Sequence, residues 1–213
     1  MTGSKTSAMF VTLEGGEGAG KSTSRDFIVS LLEEYNVPFI QTREPGGTQT
    51  GEALRELLLS KDGTAPSVIT ELLMVFAARA QHLHEVIEPA LSDGKWVLCD
   101  RFTDATYAYQ GYGRGFDLGG IEALETLVQR GRHPDLTLLF DIDPQLGMAR
   151  ARQRAELDRF EEEELAFFER VREGYLSRAE FDSRFRIIDA SRSINDVQHA
   201  LRRLFVSLVD GTS

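Results

Sequence analysis

A single cysteine, Cys99, in 213 residues removes any disulfide framework and any cysteine-built zinc site. No apolar run approaches the ~20 residues that a membrane-spanning helix requires. The stretch Met1 to Met9 is polar and small, without a signal-peptide core, so no membrane attachment is expected. Basic charge is short: 24 Lys and Arg face 34 Asp and Glu, a net charge of −10. A general nucleic-acid binder carries a basic field, so no nucleic-acid partner is expected. A small anion held by a few aimed arginines stays open. Internal repeats and low-complexity tracts are missing too. What is present is 41% hydrophobic residues in a chain long enough to bury roughly 70% of its unfolded surface. These features describe a globular protein, expected in the cytoplasm. One domain is expected over residues 9–210, with residues 1–8 as a flexible extension.

Short apolar runs alternate with helical patterns. Phe10 to Leu13, Val37 to Thr42, Trp96 to Cys99, Leu136 to Phe140 and Phe185 to Ile188 read as strands. Helices are expected over 21–35, Gly51 to Ser60, 67–92, Gly119 to Gln129, 144–154, 162–181 and Ile194 to Val209. Strands separated by helices mean βαβ units. The expected fold is therefore α/β: a five-stranded parallel sheet with helices on both faces.

The strongest chemical signal is Gly15-Gly16-Glu17-Gly18-Ala19-Gly20-Lys21-Ser22, which fits G-x-x-x-x-G-K-[ST] between a strand and a helix. Glycines let the backbone curl so that its N–H groups converge on phosphate oxygens. The following helix adds its positive N-terminal end. Lys21 reaches the β- and γ-phosphates, and Ser22 offers a hydroxyl to Mg²⁺. The expected nucleoside triphosphate contacts are Gly15 to Ser22 together with Thr23. No Asn-Lys-x-Asp segment marks a guanine switch, and Asp100 is followed by Arg101 rather than glutamate. Asp100, at a strand end, suits Mg²⁺ through water, and Arg101 suits a second phosphate. Arg43, after the second strand, points to the same cleft at the carboxyl ends of the strands. A phosphoryl donor beside two arginines fits transfer between two anions.

The set Glu14-Gly15-x-Glu17-Gly18-Ala19-Gly20-Lys21-Ser22-Thr23, Thr42 to Thr48, Phe76-Ala77-Ala78-Arg79, Asp100-Arg101-Phe102, Tyr109-Gln110-Gly111 and Leu157 to Glu161 resembles the bacterial thymidylate kinases across nearly the whole chain. The resemblance implies a P-loop kinase fold, Mg²⁺, and transfer of the ATP γ-phosphoryl group to dTMP, giving dTDP and ADP on the way to dTTP. It also implies a homodimer. By the same resemblance Glu14 lies near the sugar 3′-hydroxyl and the metal. Arg43, Arg55 and Arg101 serve the acceptor phosphate, and Arg79 donates to thymine O4. Thr106 and Gln110 read the base N3 edge, and Tyr109 crowds the sugar 2′ carbon. Where many relatives place a thymine-stacking phenylalanine four residues before the base-reading arginine, this chain has Val75, with Phe76 beside it. Either Phe76 stacks on the base after a small rotation, or the floor is aliphatic and Phe76 is core.

Arg150 to Arg159 is basic for so acidic a chain. Residues 150–162 are expected to form a mobile lid that closes arginines over the phosphates. The P-loop carries Gly18-Ala19 where some relatives have an arginine, so the lid is expected to supply that charge, through Arg154 first and Arg152 and Arg159 next. The expected catalytic set is Lys21, Arg101, Arg154 and Glu14. Glu161 to Glu164 reads as a solvated helix start, Asp141-Ile142-Asp143-Pro144 as a strand-end turn with a helix cap, and His82, His84 and Cys99 as structural. Two rival readings remain: a kinase for another nucleoside monophosphate, or an ATP-binding switch with no acceptor.

Overall fold

The computed structural model describes residues 7–61, 65–153, 159–160, 163–209 and 211. In chain order the elements are β1 (Phe10–Glu14), α1 (Lys21–Glu34), β2 (Phe39–Arg43), α2 (Gln49–Leu59) and α3 (Val68–His82). A π-helical stretch, Leu83–Ile87, leads into α4 (Glu88–Ser92), then β3 (Trp96–Asp100). Next comes α5 (Thr103–Thr106), prolonged by a second π-helical stretch, Tyr107–Gly113, then α6 (Leu118–Gln129) and β4 (Leu136–Asp141). The chain closes with α7 (Pro144–Arg152), α8 (Leu165–Glu180), β5 (Phe185–Asp189) and α9 (Ile194–Val209).

All five strands are parallel, in the order β2-β3-β1-β4-β5. The central strand, β1, pairs with β3 through Phe10 and Val97 and with β4 through Val11 and Leu136. Its period of two decides what each residue meets. Val11 and Leu13 enter a core with Ile28 and Leu31 of α1 and Leu201 and Phe205 of α9. Phe10, Thr12 and Glu14 face the opposite layer, where Phe10 packs with Ile87, Val97 and Phe102. Fully buried side chains of this kind contribute about 1.5–3 kcal/mol each. The connection from β1 leaves toward β2 on one side and that from β3 leaves toward β4 on the other, so the direction reverses between the carboxyl ends of β1 and β3. Parallel sheets bind ligands at that point.

Two expected boundaries shift for local reasons. The second strand starts at Phe39, because Val37 N–H still closes α1 by bonding Leu32 O at 2.9 Å, after Asn36 turns the chain at φ 53°. The helical run over 67–92 is continuous but contains a π turn, in which Glu88 N–H donates to Leu83 O. Pro89 follows at once; it has no N–H to give and crowds the carbonyl four residues back, which a wider turn accommodates. The segment 103–113, to which the sequence pattern assigns no element, is helical.

Candidate active site

Glu17, Gly18, Ala19, Gly20, Lys21 and Ser22 form one wall of a cleft of about 250 Å³ at the carboxyl ends of β1, β2 and β3. The opposite wall carries Arg55, Val75, Arg79, Phe102, Thr106, Tyr109, Gln110 and Phe160. Gly18 needs its glycine: it lies at φ +68°, and a Cβ there would strike the Gly147 carbonyl on α7. A larger residue is excluded at that point of the loop.

Lys21 sits at the first position of α1 and is only 9% exposed, less open than its loop suggests. Its Nζ donates to the carbonyls of Gly15 at 2.9 Å and Gly16 at 2.8 Å. Burial, with the positive charge of Arg101 second, lowers its pKa from 10.5 to about 8. Ser22 and Thr23 stand exposed on the first turn of α1. Asp100 closes β3, and its Oδ1 is buried with no hydrogen-bond partner among the described residues. A hard divalent cation fits a buried, unpartnered carboxylate oxygen that shares a wall with a serine hydroxyl. Among the described residues, Ser22 and Asp100 are side chains that could hold such a cation.

Arg101 adopts φ +70°, a left-handed backbone that costs a non-glycine residue of order 1–3 kcal/mol. That turn carries its guanidinium back across the P-loop. Nη1 donates to Gly15 O at 2.9 Å and to the Tyr175 hydroxyl at 3.1 Å, and Nη2 to Glu17 Oε1 at 2.5 Å. Tyr109 also donates its hydroxyl to Glu17 Oε1, at 2.8 Å, and its ring lies 5.0 Å from the Arg101 guanidinium. The Glu17 side chain is thus held by Arg101 and Tyr109.

The far wall is organised around Arg79, which is 1% exposed. Nε donates to Glu44 Oε2 at 2.7 Å and Nη2 to Thr106 Oγ1 at 2.9 Å, while Nη1 is buried with no partner among the described residues. The guanidinium lies 4.9 Å from the Phe76 ring centroid and 5.0 Å from that of Phe102. Glu44 Oε1 is 2.9 Å from His82 Nδ1, and His82 Nε2 is 2.5 Å from Thr42 Oγ1. Glu44, Phe102 and His82 were not singled out from the sequence as site residues. One signal was available: Arg79 and His82 are one helical turn apart and present one face.

Several expected residues lie elsewhere. Arg43 ends β2, but its guanidinium is 53% exposed and paired to Glu52 at 2.7 Å; it does not line the cleft. Glu52 is fixed there because it also accepts the Gly47 N–H at 2.9 Å. Phe76 is core, packed with Leu72, Tyr107 and Ile121, and Val75 faces the cleft in its place. Glu14 is fully buried behind the loop, accepting from Phe102 N–H at 2.7 Å and from the Tyr175 hydroxyl at 2.9 Å. Burial, with the charge of Asp104 second, raises its pKa to about 8. Arg55 does line the cleft and donates to Pro45 O at 3.0 Å. Arg154 and Glu161 lie outside the described residues. Arg152 is exposed, and Arg159 is docked inward, donating to Leu58 O at 2.8 Å and to Glu71 at 2.7 Å. Asp143 caps α7 through Gln145 and Leu146 N–H, as the sequence suggested. Cys99 is buried within β3, also as expected.

A second hollow, of about 420 Å³, opens on the other side of the P-loop between Gly18, Thr23, Arg150, Arg192 and Ser193. Arg150 is steadied by Ala190 O at 2.8 Å. Sequence reasoning missed this hollow, since it joins the start of α1, the end of α7 and the loop before α9.

Comparison with known proteins places these features in a family. The family model described as thymidylate kinase matches residues 13–201. A thymidylate kinase of Pseudomonas syringae pv. tomato is 55% identical over 203 residues, covering 95% of this chain and 97% of that protein. The thymidylate kinase of Teredinibacter turnerae is 56% identical over 195 residues, covering 91% and 95%. That of Pseudomonas putida strain GB-1 is 53% identical over 205 residues, covering 96% and 98%.

Proposed function

The chain belongs to the thymidylate kinase family, and from that premise we propose how its cleft transfers the γ-phosphoryl group of ATP to dTMP, giving dTDP and ADP. The observation that carries the residue-level reading is the pair of free hydrogen-bonding positions on the far wall. Arg79 Nη1 is a buried donor with no partner among the described residues, and Gln110 lines the same wall with its Nε2 turned away onto Glu71 at 2.8 Å, leaving Oε1 as an acceptor. One donor beside one acceptor matches the O4 and N3–H of thymine. Cytosine presents the reverse pattern.

On this reading ATP enters with its triphosphate in the P-loop and its base in the hollow by Arg150 and Arg192. Lys21 exchanges the Gly15 and Gly16 carbonyls for phosphate oxygens. The dTMP base lies against Val75 and Phe102, its edge on Arg79, Thr106 and Gln110. Tyr109, held by Glu17, restricts the sugar 2′ position, and Arg55 and Arg101 take the acceptor phosphate. An oxygen of that phosphate attacks the γ-phosphorus in line. The new O–P bond forms as the bond to the β-phosphate oxygen breaks, and ADP leaves. The P-loop N–H groups, Lys21 and the arginines stabilise the charge that shifts during transfer. Mg²⁺, held by Ser22 and Asp100 when bound with ATP, supplies further neutralisation of the phosphates. Lid arginines, Arg154 among them, complete the closure over both nucleotides.

We also place the active form as a homodimer in the cytoplasm. Ile69 and Leu73, one turn apart on α3, are 47% and 50% exposed, a surface suited to a second copy. No helix among the described residues is long and apolar enough to cross a membrane. The deciding assay couples ADP release to NADH oxidation with ATP and a panel of dTMP, dUMP, dCMP, dAMP and dGMP. dTMP is the expected best acceptor. A purine monophosphate preferred over dTMP, or ATP binding with no transfer to any of the five, overturns this assignment of the cleft.

A further inference from the structure

We propose that Glu71 is a positioning residue for base selection: it fixes which end of the Gln110 amide faces the nucleotide. The inference rests on the reading of the far wall given above. Glu71 lies on the first turn of α3 and is 1% exposed, in a position where a helical glutamate is ordinarily solvated. Its carboxylate is held by two cations. Oε2 accepts from Arg159 Nη2 at 2.7 Å, and Oε1 lies 3.4 Å from Arg114 Nε. The same Oε1 accepts from Gln110 Nε2 at 2.8 Å.

An amide side chain is nearly symmetric in shape, and its two ends are told apart only by their partners. An ion-paired carboxylate accepts and never donates. The end of Gln110 that faces Glu71 must therefore be the NH₂. Oε1, which takes no hydrogen bond from any described residue, is then the end left for the cleft that Gln110 lines. An acceptor at that point matches a base with N3–H and opposes a base whose N3 is a lone pair. Without an acceptor-only neighbour the amide is free to turn over, and its NH₂ then suits cytosine as well as Oε1 suits thymine. Arg79 Nη1 still favours O4 over an amino group, so the selection weakens without vanishing.

The test compares the wild-type enzyme with E71Q and with the reciprocal swap E71Q/Q110E, reading kcat/KM for dTMP, dUMP and dCMP. Ratios taken on one preparation cancel any loss of active enzyme. For E71Q the dTMP-to-dCMP ratio is expected to fall about tenfold or more, because a mispaired polar edge is what such a site rejects. The dTMP-to-dUMP ratio should stay within about twofold, since both bases carry the same N3–H and O4 edge. A general distortion of the wall in the folded enzyme would move both ratios. The swap returns an acceptor-only group to position 110, with the amide introduced at position 71 donating to it, and should restore the dCMP discrimination. An E71Q enzyme whose dTMP-to-dCMP ratio is unchanged, or whose two ratios fall together, overturns the proposal and leaves the kinase reading intact. If E71Q does not fold, the swap decides: discrimination near the wild-type value upholds the proposal, and its loss overturns it. A wild-type enzyme that accepts dCMP as readily as dTMP removes the base reading itself, and this inference with it.

Discussion

Replacing Arg79 by lysine keeps a positive charge beside Glu44 and removes the guanidinium fork. Three consequences follow from the distances. The bond to Glu44, 2.7 Å from Nε, has a charged substitute in the ammonium group. The bond to Thr106 Oγ1 at 2.9 Å, and the stacking between Phe76 and Phe102, are lost. The free Nη1 donor is lost too. A hydrogen bond from a charged donor is worth about 1.5–3 kcal/mol, so losing the base contact predicts a rise of roughly 10- to 100-fold in the dTMP Kd. The structural losses predict about 1–3 kcal/mol of stability, or roughly 2–10 °C in Tm for a chain of this size. R79M should cost more, about 3–5 kcal/mol, because Glu44 is left buried with only His82 beside it. Base contacts exist before the chemical step, so kcat for R79K at saturating dTMP should change far less than KM. The measurements are dTMP titration calorimetry, steady-state kinetics and thermal melts on wild type and both variants. An R79K enzyme with an unchanged dTMP Kd and a lowered Tm would refute the base-reading role and make Arg79 a pillar of the wall.

Two other perturbations test the donor side and the layer behind it. Lys21→Met should lower turnover by more than ~100-fold while the circular dichroism spectrum is kept, since it removes a cation from the transferring phosphates; near-normal turnover would exclude Lys21 from the cradle. Because free Lys21 loses its proton near pH 8 rather than 10.5, a bound triphosphate should return it, so ATP binding between those values takes up protons. Calorimetry in two buffers of different ionisation enthalpy reads that uptake, and equal uptake by wild type and Lys21→Met would contradict it. For Glu14 the folded pKa, about 8, exceeds the unfolded 4.5, so the native state binds the extra proton between them and loses stability as pH rises through that window. Glu14→Gln should flatten that decline; parallel melting curves for the two proteins from pH 5 to 8 would show that Glu14 is not the group responsible.

The P-loop and the parallel sheet were legible because their signals are local: glycine spacing, a lysine at fixed offset, apolar runs of strand length. Asp100 and Arg101 were legible as strand-end residues. Arg79, Thr106, Tyr109 and Gln110 stood out through the family resemblance, and the fold gathers all four on one wall. What stayed hidden depends on partners far along the chain. Phe76 and Val75 are neighbours on one helix, and their roles are told apart only by distant partners: Phe76 packs with Tyr107 and Ile121, while Val75 lines the cleft. Arg43 is where a strand end should put it, but Glu52 holds its head outside. Glu14 follows the strand period inward to Tyr175, 161 positions later. Glu71 looks like an ordinary helical glutamate until Arg159, 88 positions away, covers it.

On the proposed reading of the cleft, its charges explain how a chain of net charge −10 holds two anions. Each cation on the phosphate side already has an internal acceptor: Lys21 on two P-loop carbonyls, Arg101 on Glu17 and Gly15 O, Arg55 on Pro45 O. These acceptors hold the cations in place although burial and the charge of Arg101 still lower the pKa of Lys21. Binding a phosphate is then an exchange of partners at fixed positions. The desolvation cost was met during folding, and little reorganisation is left for the reaction. The exchange also selects by strength. A neutral monophosphate analogue gains nothing over a backbone carbonyl, whereas a phosphate dianion outcompetes it through a charge-assisted bond about twice as strong as a neutral one. The base side works by a different rule. Its donor, Arg79 Nη1, is left without a partner among the described residues, and a buried unpaired donor disfavours every occupant that cannot accept from it. On that reading phosphate affinity comes from replaceable partners, and base identity from a position that only the right edge can fill.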